Sequence, residues 1–189
     1  MRIIAGSAKK MLLTIPKGWT GRPTSDRVKE ALFNIWGLEV ENKVFFYIFA
    51  VKGNIGLEAL SRGACLTCFA EQDGRALKAI QQNLNKARLA DKAILLNGTV
   101  PQVLNRIESY AQKPELVFLD PPYAQGLSQL VLKELSGADW LADQALICAE
   151  TDKREDLAGE FDWKGKINLY RKEKYGDTLL WFFQYQKLI

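Results

Sequence analysis

No histidine occurs among the 189 residues. That absence removes serine–histidine–aspartate triads, HExxH zinc sites and every imidazole general base. Any chemistry must therefore run on carboxylates, lysine, tyrosine, backbone groups or a bound cofactor. Cysteine is scarce and odd in number, at three residues, which argues against a disulfide framework. Cys65 and Cys68 form the one CxxC, but strand residues three apart face opposite ways. They read as structural thiols, and no cluster of metal ligands is visible. Long apolar runs are missing too, since none approaches the roughly 18–20 residues that cross a bilayer. The opening MRIIAGSAKK has no apolar stretch long enough for a secretory signal. The expectation is a cytoplasmic protein with no membrane partner.

What is present is ordinary for a folded domain: 48% hydrophobic and 25% charged residues, in a length that fits one core with a small appendage. The charge is uneven. Residues 1–30 hold seven basic and two acidic side chains, a net +5 out of +4 for the whole chain. A near-neutral body with a basic leading segment points to a polyanion touched at one end.

The spacing predicts a short hairpin or extended arm over 1–18, where Gly6, Pro16 and Gly18 punctuate short apolar stretches. A helix follows, capped by Thr24 or Ser25 and stopped by Gly37. After it, strands alternate with helices: VFFYIFA, CLTCFAE, KAILLNG, ELVFLDPPY and QALICAE are separated by four helical stretches. VFFYIFA is apolar throughout, as a parallel strand buried on both faces must be. The tail INLYRKEKYGDTLLWFFQYQ reads as two strands joined at Tyr175-Gly176-Asp177. The expected fold is α/β: a doubly wound, mostly parallel, Rossmann-like sheet with a terminal antiparallel hairpin and a small N-terminal arm.

Ligands of such sheets collect beyond the carboxyl ends of the strands. Four of those ends carry chemistry: the turn over 50–56, Glu71, the turn Asn97-Gly98-Thr99, and Asp120-Pro121-Pro122-Tyr123. In the last, two prolines stiffen the turn and leave carbonyls as free acceptors. Asp120 and the Pro121 carbonyl could accept the two hydrogens of an amine on a flat ring, with Tyr123 stacked against it.

DPPY after the fourth strand is similar to the motif of S-adenosylmethionine-dependent methyltransferases that act on nucleobase amines. Together with MRIIAGSAK, RPTSDRVKEALFNI, GLEALSRGA and YGDT, it makes the chain resemble, nearly end to end, the RsmD family of bacterial 16S ribosomal RNA guanine-N2 methyltransferases. The resemblance implies a class I methyltransferase fold and S-adenosyl-L-methionine as cofactor. It assigns the target base to Asp120, Pro121 and Tyr123. The cofactor falls to Phe49, Ala50, Gly53, Gly56, Glu71, Gln72 and Thr99, with Glu71 accepting ribose hydroxyls. RNA falls to Arg2, Lys9, Lys10, Arg22, Thr24, Ser25 and Arg27. Residues 1–37 become an RNA-contacting arm and helix, and 38–189 the methyltransferase domain. The partner is 16S ribosomal RNA or a small-subunit assembly intermediate, met by a monomer.

The cofactor turn departs from that family. Its usual D-L-F-A-G-S-G-A-L-G reads Tyr47-Ile48-Phe49-Ala50-Val51-Lys52-Gly53-Asn54-Ile55-Gly56 here. Lys10 and Met11 likewise stand where Gly-Arg is typical. Val51 is ill suited to a positive φ, if the turn needs one there. Lys52 could pair with the cofactor carboxylate or repel its sulfonium. Two other readings therefore stand beside guanine methylation: a catalytically silent relative that binds ribosomal RNA, and an adenine-N6 methyltransferase.

Overall fold

The computed structural model describes residues 1–15, 18, 24–107, 109, 112–122, 126–159 and 166–187. Among the described residues, apart from two short 3-10 turns, the α-helices and strands follow in order: α1 (Asp26–Trp36), β1 (Val44–Ile48), α2 (Asn54–Ser61), β2 (Leu66–Glu71), α3 (Gly74–Ala87), β3 (Ala93–Asn97), α4 (Val100–Ile107), β4 (Leu116–Leu119), α5 (Leu127–Ser136), β5 (Leu146–Asp152), β6 (Ile167–Tyr175) and β7 (Thr178–Tyr185). The strands form one sheet in the order β3-β2-β1-β4-β5-β7-β6. The first five run parallel, and β7 lies antiparallel between β5 and β6. This is the doubly wound sheet with a terminal antiparallel hairpin that the sequence predicts.

Strand alternation divides the core in two. Phe45, Tyr47, Phe69, Phe118 and Phe182 face α1, α2 and α3, whereas Phe46, Ile48, Val117, Leu119 and Phe183 face α4 and α5. Because β1 is buried along its whole length, both faces must be apolar. Ser25 caps α1 by accepting from the Val28 amide at 3.2 Å, and Gly37 ends it at φ 55°. Of the CxxC pair, Cys68 is buried on β2 as a structural thiol should be, whereas Cys65 precedes the strand and is exposed, against the expectation of two buried cysteines.

The N-terminal arm is a hairpin. Ile3 donates to the Met11 carbonyl at 3.0 Å, Lys10 donates back to Ile3 at 2.8 Å, and Lys10 itself takes the left-handed backbone at φ 71°. The hairpin is fastened to α2 and α3. The amides of Ile4 and Ala5 donate to the Glu58 carboxylate at 2.8 and 2.9 Å. Asn83 exchanges two hydrogen bonds with the Thr14 backbone at 2.8 and 2.9 Å. Gly6 lies so close that a Cβ there would stand 1.7 Å from the Ser61 carbonyl oxygen. The leading segment is thus a built part of the fold.

Candidate active site

The strand order reverses between β1 and β4, which is where such sheets open a crevice at their carboxyl ends. The turn Phe49–Gly53 leaves β1 at this point, and Asp120–Pro122 leaves β4. Beside them lies a cleft of about 250 Å³ lined by Phe49, Val51, Ala70, Glu71, Gln72, Asp73, Gly98, Thr99, Val100 and Pro122. All four chemistry-bearing strand ends contribute lining residues, the DPPY turn through Pro122.

The turn's positive φ falls at Phe49, at 63°, and not at Val51. An aromatic residue in the left-handed region is strained, by about 1–3 kcal/mol, and such strain concentrates at functional turns. Gly53 is left-handed too, at φ 67°, and opens α2; a Cβ there would meet Ile80 Cγ1 at 2.8 Å. Gly56 lies within α2, facing β2, where a Cβ would stand 2.3 Å from Phe69 Cε1. Its missing side chain lets the helix press onto the strand, while Ala50 is fully buried behind the turn.

Glu71 is nearly buried, and its carboxylate braces the turns around it. One oxygen accepts from the Val51 amide at 3.0 Å, and the other from the amides of Gln72 and Asp73 at 2.8 Å each. A carboxylate offers about four lone-pair sites. Three are taken, which leaves room for one ribose hydroxyl. Gln72 and Thr99 are exposed at the rim, with the Thr99 amide donating to Gln102 Oε1 at 3.0 Å.

A polar cluster that spacing alone does not reveal gathers around the Tyr47 hydroxyl. The Tyr47 ring is buried in the core against Phe118 and Phe69. Its hydroxyl stands 3.4 Å from both Asp120 Oδ2 and Asn54 Oδ1, long contacts of which one hydrogen can serve one at a time. Burial lifts the Asp120 carboxyl to about 6, against the Lys52 ammonium and the Tyr47 hydrogen bond, which pull it down. Burial likewise lowers Lys52 to about 8, opposed by Asp120 and Glu150. Burial, aided by the charge of Asp120, raises the Tyr47 phenol. Glu150, 2% exposed on β5, accepts from the Thr24 hydroxyl at 2.9 Å. Sequence reasoning passes over Glu150 because it sits mid-strand in an apolar run. A charged residue in QALICAE was the available signal.

The residues expected to meet RNA divide. Lys9, Lys10 and Arg27 are exposed, and Arg27 lies 5.9 Å over the Tyr175 ring. Arg2 pairs with Asp26 at 3.3 Å while keeping most of its side chain in solvent. Ser25 is occupied as a helix cap, and Thr24 is buried with its hydroxyl turned inward to Glu150. Lys29, counted in the leading positive charge, is fully buried between Glu58, Asp26 and the Arg2 carbonyl, so it offers nothing to a polyanion. Arg22 and Tyr123 lie outside the described residues.

The residues of the cleft fit the nucleoside end of the cofactor that the resemblance implies: Glu71 keeps an open acceptor site, Thr99 stands at the rim, and Phe49, Val100 and Pro122 supply apolar walls. At the other end, Asn54 Nδ2 is a buried amide donor with no partner among the described residues, the type of group a carboxylate would satisfy. Among the described residues no group of side chains could hold a metal ion, and no helix is long and apolar enough to cross a membrane.

Comparison with known proteins agrees with this picture. The family described as conserved hypothetical protein 95 matches residues 1–184. YlbH of Bacillus subtilis strain 168 is 32% identical over 178 residues, covering 94% of this chain and 95% of the relative. The ribosomal RNA small subunit methyltransferase D of Escherichia coli K12 is 32% identical over 195 residues, covering 94% and 93%. The solved structure of the Escherichia coli protein yhhF superposes with a TM-score of 0.81 at 31% identity, covering 98% of each chain.

Proposed function

The chain belongs to the conserved hypothetical protein 95 family, and on that footing we propose that it transfers a methyl group from S-adenosyl-L-methionine to ribosomal RNA of the small subunit. The finer reading is that the acceptor is the exocyclic N2 amine of a guanine in 16S RNA. Residues 1–37 then serve as the RNA-contacting arm and helix, and 38–189 as the methyltransferase domain of a cytoplasmic monomer. The observation that supports this reading is that Pro122, two residues after Asp120 in the turn that leaves β4, lines the same cleft as Glu71 and Thr99.

When bound, the cofactor supplies an electrophilic methyl carbon on a sulfonium. The protein's task is positional. Asp120 and the Pro121 carbonyl accept the two amine hydrogens, which turns the nitrogen lone pair toward the cleft. Glu71 holds the nucleoside end through its one open lone pair. Burial around Tyr47, Lys52 and Glu150 keeps water from the reacting atoms. No histidine is required, because a methylated amine sheds its proton easily.

Replacing Asp120 with alanine should abolish turnover and leave RNA affinity largely intact, measured by single-turnover methylation and RNA binding side by side. Unchanged turnover contradicts the assignment. One observation favours the silent-relative reading: Lys52 and Tyr47 crowd the carboxylate that should meet the substrate. Calorimetry with S-adenosylmethionine separates the two, since a silent relative gives no heat. Nucleoside analysis after reaction separates guanine-N2 from adenine-N6 methylation.

A further inference from the structure

Methyl transfer at the cleft gives no task to the YGDT stretch that joins β6 to β7. The strand register nevertheless carries it to the edge where the cleft opens. Asp152, at the carboxyl end of β5, pairs with Thr178, and Thr178 pairs with Tyr175. Because β7 runs antiparallel to β5, the β6–β7 turn stands beyond the carboxyl ends of the parallel strands, as Glu71 and Asp120 do. The turn is fastened there. The Lys153 amide donates to the Asp177 carbonyl at 2.8 Å, and the Lys153 ammonium pairs with the Asp177 carboxylate at 2.8 Å.

The amino end of α1 reaches the same edge. Thr24 donates at 2.9 Å to Glu150, two residues before β5 ends, and Arg27 follows in the first turn of the helix. Alternation along β6 turns Arg171, Glu173 and Tyr175 to the α1 face, since Arg171 and Glu173 pair with Phe182 and Leu180 of that core. There the exposed Arg27 guanidinium lies 5.9 Å over the ring of Tyr175, which is half-buried against the core. An arginine resting on an aromatic ring loses freedom yet keeps N–H donors at the rim of its plane for a phosphate. On its other flank Arg27 adjoins Asp26, which holds Arg2 of the arm at 3.3 Å, so the leading segment and the hairpin form one continuous surface. β4 and β6 are three strand spacings apart, about 14 Å, within reach of RNA that flanks a base held at Asp120.

We propose that the β6–β7 hairpin is a second RNA-contacting element, in which Tyr175 presents the Arg27 guanidinium to a phosphate of the strand flanking the target base. This rests on the ribosomal RNA methyltransferase reading and extends it: both ends of the chain build the RNA surface, which residues 1–37 alone do not complete. Arg27 is the contact and Tyr175 the positioning residue. Farther along the same face Arg171 is paired with Glu173 at 2.9 Å, so the contact concentrates at the turn.

The test is binding of 16S ribosomal RNA, free and in small subunits from cells lacking the protein, to the full chain and its variants over a range of salt. Tyr175→Leu keeps apolar packing and removes the ring, whereas Tyr175→Phe keeps the ring; circular dichroism checks that each variant folds. Arg27→Ala and Tyr175→Leu should each weaken binding about fivefold. Each should also reduce the slope of log affinity against log salt by about 0.7, the share of one phosphate on a single strand. A neutral substitution that lowers the salt slope is not explained by lost packing. The double variant should bind within about twofold of either single one, and Tyr175→Phe should bind like the parent. Lys92→Ser removes an exposed charge just ahead of β3, at the opposite end of the sheet, and should leave affinity unchanged. A Tyr175→Leu variant that binds as tightly as the parent, or additive losses in the double variant, overturns the role of the hairpin and leaves the methyltransferase reading standing. Methylation of the same subunits by the parent is scored separately, and its absence overturns that reading and the target base with it. A parent chain that binds neither form of the RNA overturns both.

Discussion

Replacing Glu58 with methionine would test whether the leading arm is held by one buried carboxylate. Glu58 sits on α2 with no exposed surface and gathers four donors. It accepts from the amides of Ile4 and Ala5 and from Arg62 Nε at 2.8 Å, and the Lys29 ammonium lies 3.6 Å away. Lys29 is equally buried, and burial lowers its proton affinity despite the attraction of Glu58. Breaking such a pair by removing one partner costs about 3–5 kcal/mol, because the other charge is left uncompensated. For a chain of this size, with a urea m-value of about 2–3 kcal/mol/M, that lowers the unfolding midpoint by about 1–2 M. Methionine keeps the apolar bulk, so the loss reports charge and hydrogen bonding, with little from a cavity. Pairing Glu58→Met with Lys29→Met should cost distinctly less than the sum of the single changes, because the double variant strands no fully buried charge and leaves only the partly exposed Arg62 without its partner. Urea unfolding followed by tryptophan fluorescence and circular dichroism provides the cycle. A Glu58→Met loss below about 1 kcal/mol, or strict additivity with Lys29→Met, would show that the arm is held by something else.

Three further predictions follow from the structure. Gly56→Ala forces a Cβ to within 2.3 Å of the fully buried Phe69 ring, so a loss of about 1–3 kcal/mol is expected in the same unfolding assay, and a neutral outcome would mean that β2 yields freely. Asp120, lifted to about 6 by burial, binds its proton more readily folded than unfolded. Its contribution to stability is therefore present at low pH and lost as pH rises from about 4 through about 6, and Asp120→Asn should erase that slope. Because only the ionised carboxylate accepts its amine hydrogen well, single-turnover methylation should fall below pH about 6, and a rate flat down to pH 5 would refute the role.

The strands and helices were legible because periodicity is a local property. VFFYIFA must be buried on both faces, and GRALKAIQQNLNKA presents one apolar side. The cleft was legible at one remove, since a doubly wound sheet dictates where strand ends meet. What stayed hidden depends on partners distant in the chain. Lys29 looks like surface charge until Glu58 is known to lie over it, and Thr24 looks like a solvent-facing hydroxyl until it meets Glu150, 126 residues later. Sequence also left the turn's strained position open: Val51 was suspect only if the turn needed a positive φ there, and the left-handed backbone falls on Phe49. Glu58 could have been flagged, because a lone carboxylate in NIGLEALS, a helix otherwise short of charge, needs a counter-charge.

The hairpin of residues 1–15 leaves the ribosome well before anything it rests on. Ile4 waits 54 residues for Glu58, Thr14 waits 69 for Asn83, and Leu12 waits 74 for Lys86. During synthesis this segment lacks its α2 anchor until Glu58 has emerged, and its α3 anchors until Asn83 and Lys86 follow. Its docking is then a late closure of long loops that seals α2 from the outside.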